Sequence, residues 1–187
     1  MNSLRLVWRP RAFFAEHGDS LGWVPTIAGF YLFAFATYFQ GHLVPGYHIP
    51  FYVVVYIMAW FPTLMVAAAL FVLLILFWYW PASMVLGKGQ GLEQSVKIVG
   101  VALLPPAIFL WIVLFVLAVF NSNDLAVPYR AIVATAHSAA GLWALVLIVV
   151  GATVVNRLTA AKAALFASWL VILVALGVLV YAVSNGG

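Results

Sequence analysis

The sequence predicts an all-α integral membrane protein built as a bundle of five transmembrane helices. Of its 187 residues, 67% are hydrophobic and only 6% are charged, whereas roughly a quarter of the residues of a soluble domain are charged. The apolar residues fall into runs whose lengths are close to the ~20 residues that a helix needs to cross a bilayer. The few lysines and arginines concentrate between alternate runs, which is the pattern that orients a membrane protein.

The chain is expected to form one membrane domain, residues 21–187, behind a short lead, residues 1–20. The lead is too polar to span, and its mixture of arginines and aromatic residues favours a cytoplasmic element in the headgroup region. It reads as a basic topology anchor rather than a specific lipid-recognition motif. Thr159 is the expected N-cap of the last helix. Five spans are predicted over residues 21–40, 54–84, 94–120, 132–155 and 163–183.

Charge placement predicts the orientation of the bundle. Arg130 is the only cation expected on one side of the membrane, and seven are expected on the other. The positive-inside rule therefore predicts a cytoplasmic N-terminus and an outside C-terminus. The net charge of +4 is small and indicates topology rather than nucleic-acid binding. The seven cytoplasmic cations are Arg5, Arg9, Arg11, Lys88, Lys97, Arg157 and Lys162.

A glycine-rich loop precedes the third span. Gly87, Gly89 and Gly91 permit positive φ at low steric cost, and the segment is expected to be a flexible connector. It lacks the preceding strand and the following Lys-Ser/Thr of a phosphate-binding loop. Glu93 enters the first turn of the next helix, where the helix dipole favours a negative charge. Lys97 lies four residues later, so the two are expected to pair on a solvated helix end.

Two adjacent prolines, Pro105 and Pro106, are expected to interrupt and kink the third span, because they remove amide donors. Carbonyl groups near residues 101–102 would then lack helical partners, which is costly in hydrocarbon. The pair is therefore predicted to face the bundle interior or a partner rather than lipid. Gly100, just upstream, would let a second helix come close.

The fourth span carries Ala136, Ala140 and Ala144 at small-xxx-small spacing. Small residues at this spacing let helix backbones approach closely in a membrane. The first interpretation is packing within the bundle. A homodimer seam and a docking surface for another membrane protein use the same feature, so these alternatives stay open.

No nucleophile–base–acid set is visible, and the absence of cysteine excludes disulfides and thiolate sites. We therefore expect no enzyme activity and no cofactor. His42, His48 and His137 map to the outer side, and imidazoles suit zinc or copper. However, Pro45 and Gly46 separate the first two, so no regular element would hold them together. Hydrogen-bonding interfacial histidines are favoured over a metal or haem site.

Several sequence features occur in a fixed order: a proline followed by Phe13 and Phe14, the glycine-rich loop, the SVKIVGVALLPPAI helix, Trp143 with Gly151, and a short basic loop. In this order and spacing, the chain resembles the Yip1 family in its compact prokaryotic form. The resemblance implies a five-span fold. The chain lacks the long cytosolic N-terminal region and the DLYGP-like motif of eukaryotic members. The resemblance therefore implies the fold more strongly than a role with Rab GTPases in trafficking.

The expected function is that of a non-enzymatic, multi-pass protein of a prokaryotic cytoplasmic membrane, acting through lipid or membrane-protein contacts. Its expected partners are membrane lipids and either other membrane-protein subunits or further copies of itself. One alternative is a small accessory subunit of an energy-transducing or oxidase complex. A second is a transporter or channel, which the lack of a carboxylate deep in any span disfavours.

Overall fold

The computed structural model describes residues 4–42, 65, 69, 72–120 and 129–165. Most of these residues are helical, with no strand among them, which confirms the all-α class. A 3₁₀ turn, Gly18–Ser20, follows the second helix, a π-helical turn, Ile75–Tyr79, leads into the fourth, and residues 160–165 are also helical. The α-helices are α1 (Leu4–Trp8), α2 (Pro10–His17), α3 (Trp23–His42), α4 (Trp80–Leu86), α5 (Leu92–Phe120) and α6 (Tyr129–Val154).

Two helical stretches are long and apolar enough to cross a membrane. They are Leu92–Leu117, with a mean hydropathy of 2.6, and Ile132–Val154, with a mean hydropathy of 2.0. Trp23–Thr37 and Val72–Leu86 are shorter apolar helices. Most of the predicted fifth span, much of the second and the predicted outer loops lie outside the described residues. The number of five spans therefore stays a prediction.

Helices α3 and α5 run side by side in the same direction. Near their starts, Lys97 lies 5.1 Å from the centroid of the Trp23 ring. Further along, the indole N–H of Trp111 donates to the carbonyl of Leu32 at 3.1 Å. Because early residues meet early residues and later ones meet later ones, the two helices are parallel.

Helix α6 runs antiparallel to α5. Ile98, near the start of α5, contacts Gly151, near the end of α6. Phe109 and Trp143, further into the bundle, face each other edge-on with ring centroids 6.4 Å apart. Helices α3 and α5 therefore point one way and α6 points the other. Successive crossings of a bilayer would produce such opposed directions.

Two glycines bring α3 and α5 into backbone contact. A Cβ added to Gly29 would lie 1.8 Å from the carbonyl oxygen of Gly100, and one added to Gly100 would lie 2.6 Å from Cγ2 of Thr26. Thr26 is fully buried, and its hydroxyl donates to the carbonyl of Gly22 at 2.8 Å. Gly100 therefore lets a second helix come close, as predicted.

The proline pair does not interrupt its helix. Helix α5 runs as one element through Pro105 and Pro106, both of which are buried. The expected break in the element is therefore wrong. The φ angle fixed by each proline ring is close to the helical value, so the helix continues although the prolines lack amide donors and crowd the carbonyls of the preceding turn. A kink stays a prediction. The buried position agrees with the expectation that the pair faces the interior.

The N-terminal lead packs into the bundle instead of lying wholly in a headgroup layer. Leu6, Phe13 and Phe14 are each only 1% exposed and belong to the main apolar core. Trp8 faces outward and is 80% exposed. The sequence shows that the lead is rich in aromatic residues, but it does not show that the bundle has a recess for Phe13 and Phe14.

The small-residue stripe of α6 lies inside the bundle. Ala136 and Ala140 pack in a cluster with Leu110 of α5 and Ala36 of α3, and Ala144 belongs to the main core. Their positions agree with the first interpretation, packing within the bundle, because the bundle itself occupies this face.

Candidate functional site at the basic end of the bundle

Helices α3 and α5 begin, and α4 and α6 end, at the same end of the bundle, which we call the basic end. Seven of the eight lysines and arginines lie near these helix ends, in the loops that join them or in the N-terminal lead that packs beside them, together with the carboxylates Glu16, Asp19 and Glu93. Seven cations and three carboxylates account for the whole formal charge of +4. The polar chemistry of the described chain is thus gathered at one end.

Two of the carboxylates are already paired. Arg5 donates to Glu16 at 2.8 Å on an exposed surface. Lys97 donates to Glu93 at 2.6 Å, as the spacing of four residues predicts. The Lys97 side chain is only 14% exposed and also lies over the Trp23 ring. This lysine therefore anchors α3 to α5 rather than offering a free charge.

The loop glycines serve close packing rather than positive φ. None of Gly87, Gly89 and Gly91 adopts positive φ, so the expectation based on backbone freedom is wrong. A Cβ at Gly87 would lie 2.6 Å from the carbonyl oxygen of Asn156, and one at Gly89 would lie 2.6 Å from Cα of Met84. Nothing lies within 4 Å of a Cβ at Gly91. The first two glycines are needed because backbone passes directly beside them.

This backbone contact assembles a group of three cations from three segments, the Lys88–Arg157–Lys162 cluster. Lys88 follows Gly87, and Arg157 follows the residue whose carbonyl touches that glycine. Lys162 reaches back across the loop, and its Nζ donates to the carbonyl of Leu86 at 3.2 Å. All three side chains are exposed. The three cations are therefore carried by adjoining backbone at the basic end.

Arg157 holds an unusual backbone conformation at the end of α6. Its φ is 54°, the only positive φ among the described residues other than glycine. This conformation costs an L-residue about 1–2 kcal/mol. It turns the chain so that the N–H of Leu158 reaches the carbonyl of Ala152 at 3.4 Å. The hydroxyl of Thr159 then accepts from the N–H of Lys162 at 3.4 Å, the predicted N-cap.

A buried hydrogen bond joins the segment just after α6 to the π-helical turn. The Tyr79 hydroxyl donates to Oδ1 of Asn156 at 2.6 Å, and both side chains are buried. Nδ2 of Asn156 has no hydrogen-bond partner among the described residues. Sequence reasoning missed this pair. The available signals were an asparagine directly after a long apolar run and the aromatic residues Trp78, Tyr79 and Trp80 at the end of the second predicted span.

The aromatic lead closes the basic end. A Cβ added to Gly151 would lie 3.3 Å from the ring of Phe14 and 2.7 Å from Ile98. A Cβ added to Gly18 would lie 2.6 Å from Val155. The lead and the end of α6 are therefore fitted closely, with glycines providing the space on both sides.

The predicted histidine group is not assembled in the described part of the chain. His137 is half-buried, with Nδ1 3.1 Å from the carbonyl oxygen of Val133. His42 is the last residue of α3, and both its side chain and the whole of His48 lie outside the description. Among the described residues, no three histidine, aspartate or glutamate side chains are grouped to hold a metal.

No protein-family model, curated protein or solved structure matches the chain. The resemblance to the Yip1 family therefore stays a prediction.

Proposed function

We propose that this protein is a non-enzymatic, Yip1-like, five-span membrane protein that acts through contacts with lipid or with other membrane proteins at its basic end. The observation that carries the proposal is the combination of apolar helix faces that point outward with a single end that holds the net charge. This combination is typical of a protein whose sides meet lipid and whose end meets the membrane surface.

The outward face of α5 is a continuous apolar stripe. Ile108, Ile112, Phe115 and Val116 are all exposed and follow the spacing of one helix face. On α6, the exposed Leu142 and Val146 extend the apolar surface. A soluble monomer rarely exposes contiguous apolar surface of this kind, so these faces support contact with lipid.

The order of helix directions supports the five-span arrangement. At the basic end, α3 and α5 begin, α4 and α6 end, and helical residues 160–165 begin another helix. Each helix that ends there, α4 and α6, is followed along the chain by a helix that begins there, which is what short cytoplasmic loops between successive spans require. We propose a cytoplasmic basic end in a prokaryotic cytoplasmic membrane, because Lys and Arg are retained on that side.

Topology is tested by fusing reporters to the chain. A reporter that is active only outside the cytoplasm should work after Gly187, and one that is active only in the cytoplasm should work ahead of Met1. A C-terminal fusion that is active only in the cytoplasm would contradict the five-span topology. Resistance of the protein to alkaline carbonate extraction provides the separate test of membrane embedding.

The mode of action is tested by native purification followed by mass spectrometry of everything that remains bound. Co-purifying lipid or a homo-oligomer supports the proposal. A stoichiometric large membrane complex would instead favour an accessory subunit, and ion flux in liposomes would favour a transporter or channel.

A further inference from the structure

We propose that the Lys88–Arg157–Lys162 cluster binds the phosphate group of an anionic phospholipid headgroup. The proposal deepens the function proposed above and depends on the membrane embedding proposed there. It commits to one partner, a lipid whose headgroup carries a net negative charge.

The positive charge of the cluster is not neutralised by a carboxylate of the described residues. Among the described residues, Glu16 lies beside Arg5 and His17, and Glu93 pairs with Lys97. No carboxylate in that part of the chain pairs with any member of the cluster. Three exposed cations held together without a carboxylate repel one another, so an anion that binds between them is stabilised by all three.

A backbone contact and a hydrogen bond fix the placement of the three cations. The backbone of Gly87 passes directly beside the carbonyl of Asn156, so Lys88 and Arg157 are the next residues on two adjoining stretches of backbone. The bond from Lys162 to the Leu86 carbonyl draws the third cation to the same loop. A phosphate group suits this arrangement because a guanidinium donates to two of its oxygens in one plane and lysines add point charges.

An arginine is an unusual residue for the backbone conformation at position 157. Glycine or asparagine tolerates positive φ at less cost than arginine does. Arg157 nevertheless occupies this conformation, with φ at 54° and an exposed side chain. Because the backbone gains nothing from an arginine here, its charge is the property that accounts for it.

The surroundings of the cluster favour a lipid over a soluble phosphate as its ligand. Exposed apolar side chains border the cluster along the chain on both sides. Val85, three residues before Lys88, is 83% exposed, and Leu165, three residues after Lys162, is 70% exposed. Met84 is also exposed. A phosphate beside exposed apolar groups is the chemistry of a phospholipid, whose acyl chains would cover Val85 and Leu165 while its headgroup meets the cations.

The test compares two triple variants of the full-length protein that remove the same number of charges from the same end. The cluster variant is Lys88→Gln/Arg157→Asn/Lys162→Gln, in which asparagine tolerates the backbone at position 157. The control is Arg5→Gln/Arg9→Gln/Arg11→Gln, which leaves the cluster intact. Binding of fluorescent phosphatidylglycerol and phosphatidylcholine is titrated in neutral detergent micelles.

The wild-type protein should prefer phosphatidylglycerol, and the cluster variant should lose about fivefold in that preference for each cation removed. The control should lose much less. Equal losses in the two variants would show a diffuse surface charge and overturn the proposal. Absence of any preference in the wild-type protein would also overturn it, as would displacement of the lipid by millimolar inorganic phosphate.

If the triple variant does not fold, Lys88→Gln/Arg157→Asn keeps the bond from Lys162 to Leu86 and provides the same readout. That double variant should lose about 25-fold in preference, and an unchanged preference would contradict the proposal. Carbonate extraction tests the proposed function separately. If it releases the protein, the protein is not embedded in the membrane and the proposed function fails. A protein that stays in the membrane without lipid preference refutes only the cluster.

Discussion

The Gly29–Gly100 crossing and the basic end hold the same bundle together by different means. At the crossing, backbone meets backbone, and the gap has no room for even one methyl group. At the basic end, aromatic side chains fill the space, with Phe13 and Phe14 fully buried, and a buried hydrogen bond joins the π-helical turn to Asn156, just after α6.

In the proposed membrane arrangement, the difference follows from the solvent that surrounds each region. Between helices surrounded by lipid, burial of apolar surface provides no driving force, and association depends on close packing. At the end of the bundle, which we place at the membrane surface, water is near and burial of phenyl rings is favourable. Small residues are therefore decisive in one region and large ones in the other.

The largest expected effect is at the crossing. Gly29→Ala places a Cβ against the Gly100 carbonyl and forces α3 and α5 apart, at a cost of more than about 3 kcal/mol in the free energy of unfolding. Denaturant titration in mixed micelles measures it. Gly141→Ala is the matched control, because nothing lies within 4 Å of its Cβ, and it should be neutral or stabilising by up to about 1 kcal/mol. Equal effects would remove the distinction between the two regions.

The next effect is at the basic end. Phe14→Ala should lower the free energy of unfolding by about 3 kcal/mol, because it empties a recess that Gly151 and Ile98 line. Trp8→Ala, at an exposed aromatic of the same lead, should change it by less than about 0.5 kcal/mol. A harmless Phe14→Ala would show that the lead does not contribute to the fold.

A smaller effect is expected at the buried hydrogen bond. Tyr79→Phe removes the donor and leaves the buried Oδ1 of Asn156 unsatisfied, which should cost about 2 kcal/mol. Tyr31→Phe, which removes a hydroxyl from a more exposed side chain, is the control and should be nearly neutral. If both variants unfold at the same denaturant concentration as the wild-type protein, the bond makes no net contribution.

The smallest effect concerns Arg157. Arg157→Gly relieves the cost of positive φ but raises the entropy of the unfolded chain, so a net gain of about 0.5 kcal/mol is expected. The same variant should weaken the binding of phosphatidylglycerol. A loss of stability above about 1 kcal/mol would mean that the side chain itself supports the fold.

The local features of the fold followed from short-range chemistry. The helical class, the Glu93–Lys97 pair, the Thr159 cap and the close approach at Gly100 each depend on residues a few positions apart or on a missing side chain. The continuous helix through Pro105 and Pro106 was not predicted, because proline's φ suits a helix and the neighbouring elements decide whether one continues.

The contacts that define the candidate site could not be predicted in the same way. Tyr79 and Asn156 are separated by 77 positions, and no periodicity relates them. The loop glycines were interpreted from conformational freedom, whereas packing against Asn156 and Met84 explains two of them. Nothing in the lead's own sequence shows that Gly151 leaves room for Phe14.

The π-helical turn Ile75–Tyr79 has a consequence for how this chain tolerates changes in length. One residue added to an α-helix rotates everything beyond it by about 100°, which would normally turn a buried face outward. A π-turn confines such an extra residue to one wider loop of backbone. Deleting the exposed Phe77 should therefore give a regular helix that still presents Tyr79 to Asn156. The same deletion a few positions later, within α4, would move Leu86 out of register with Lys162.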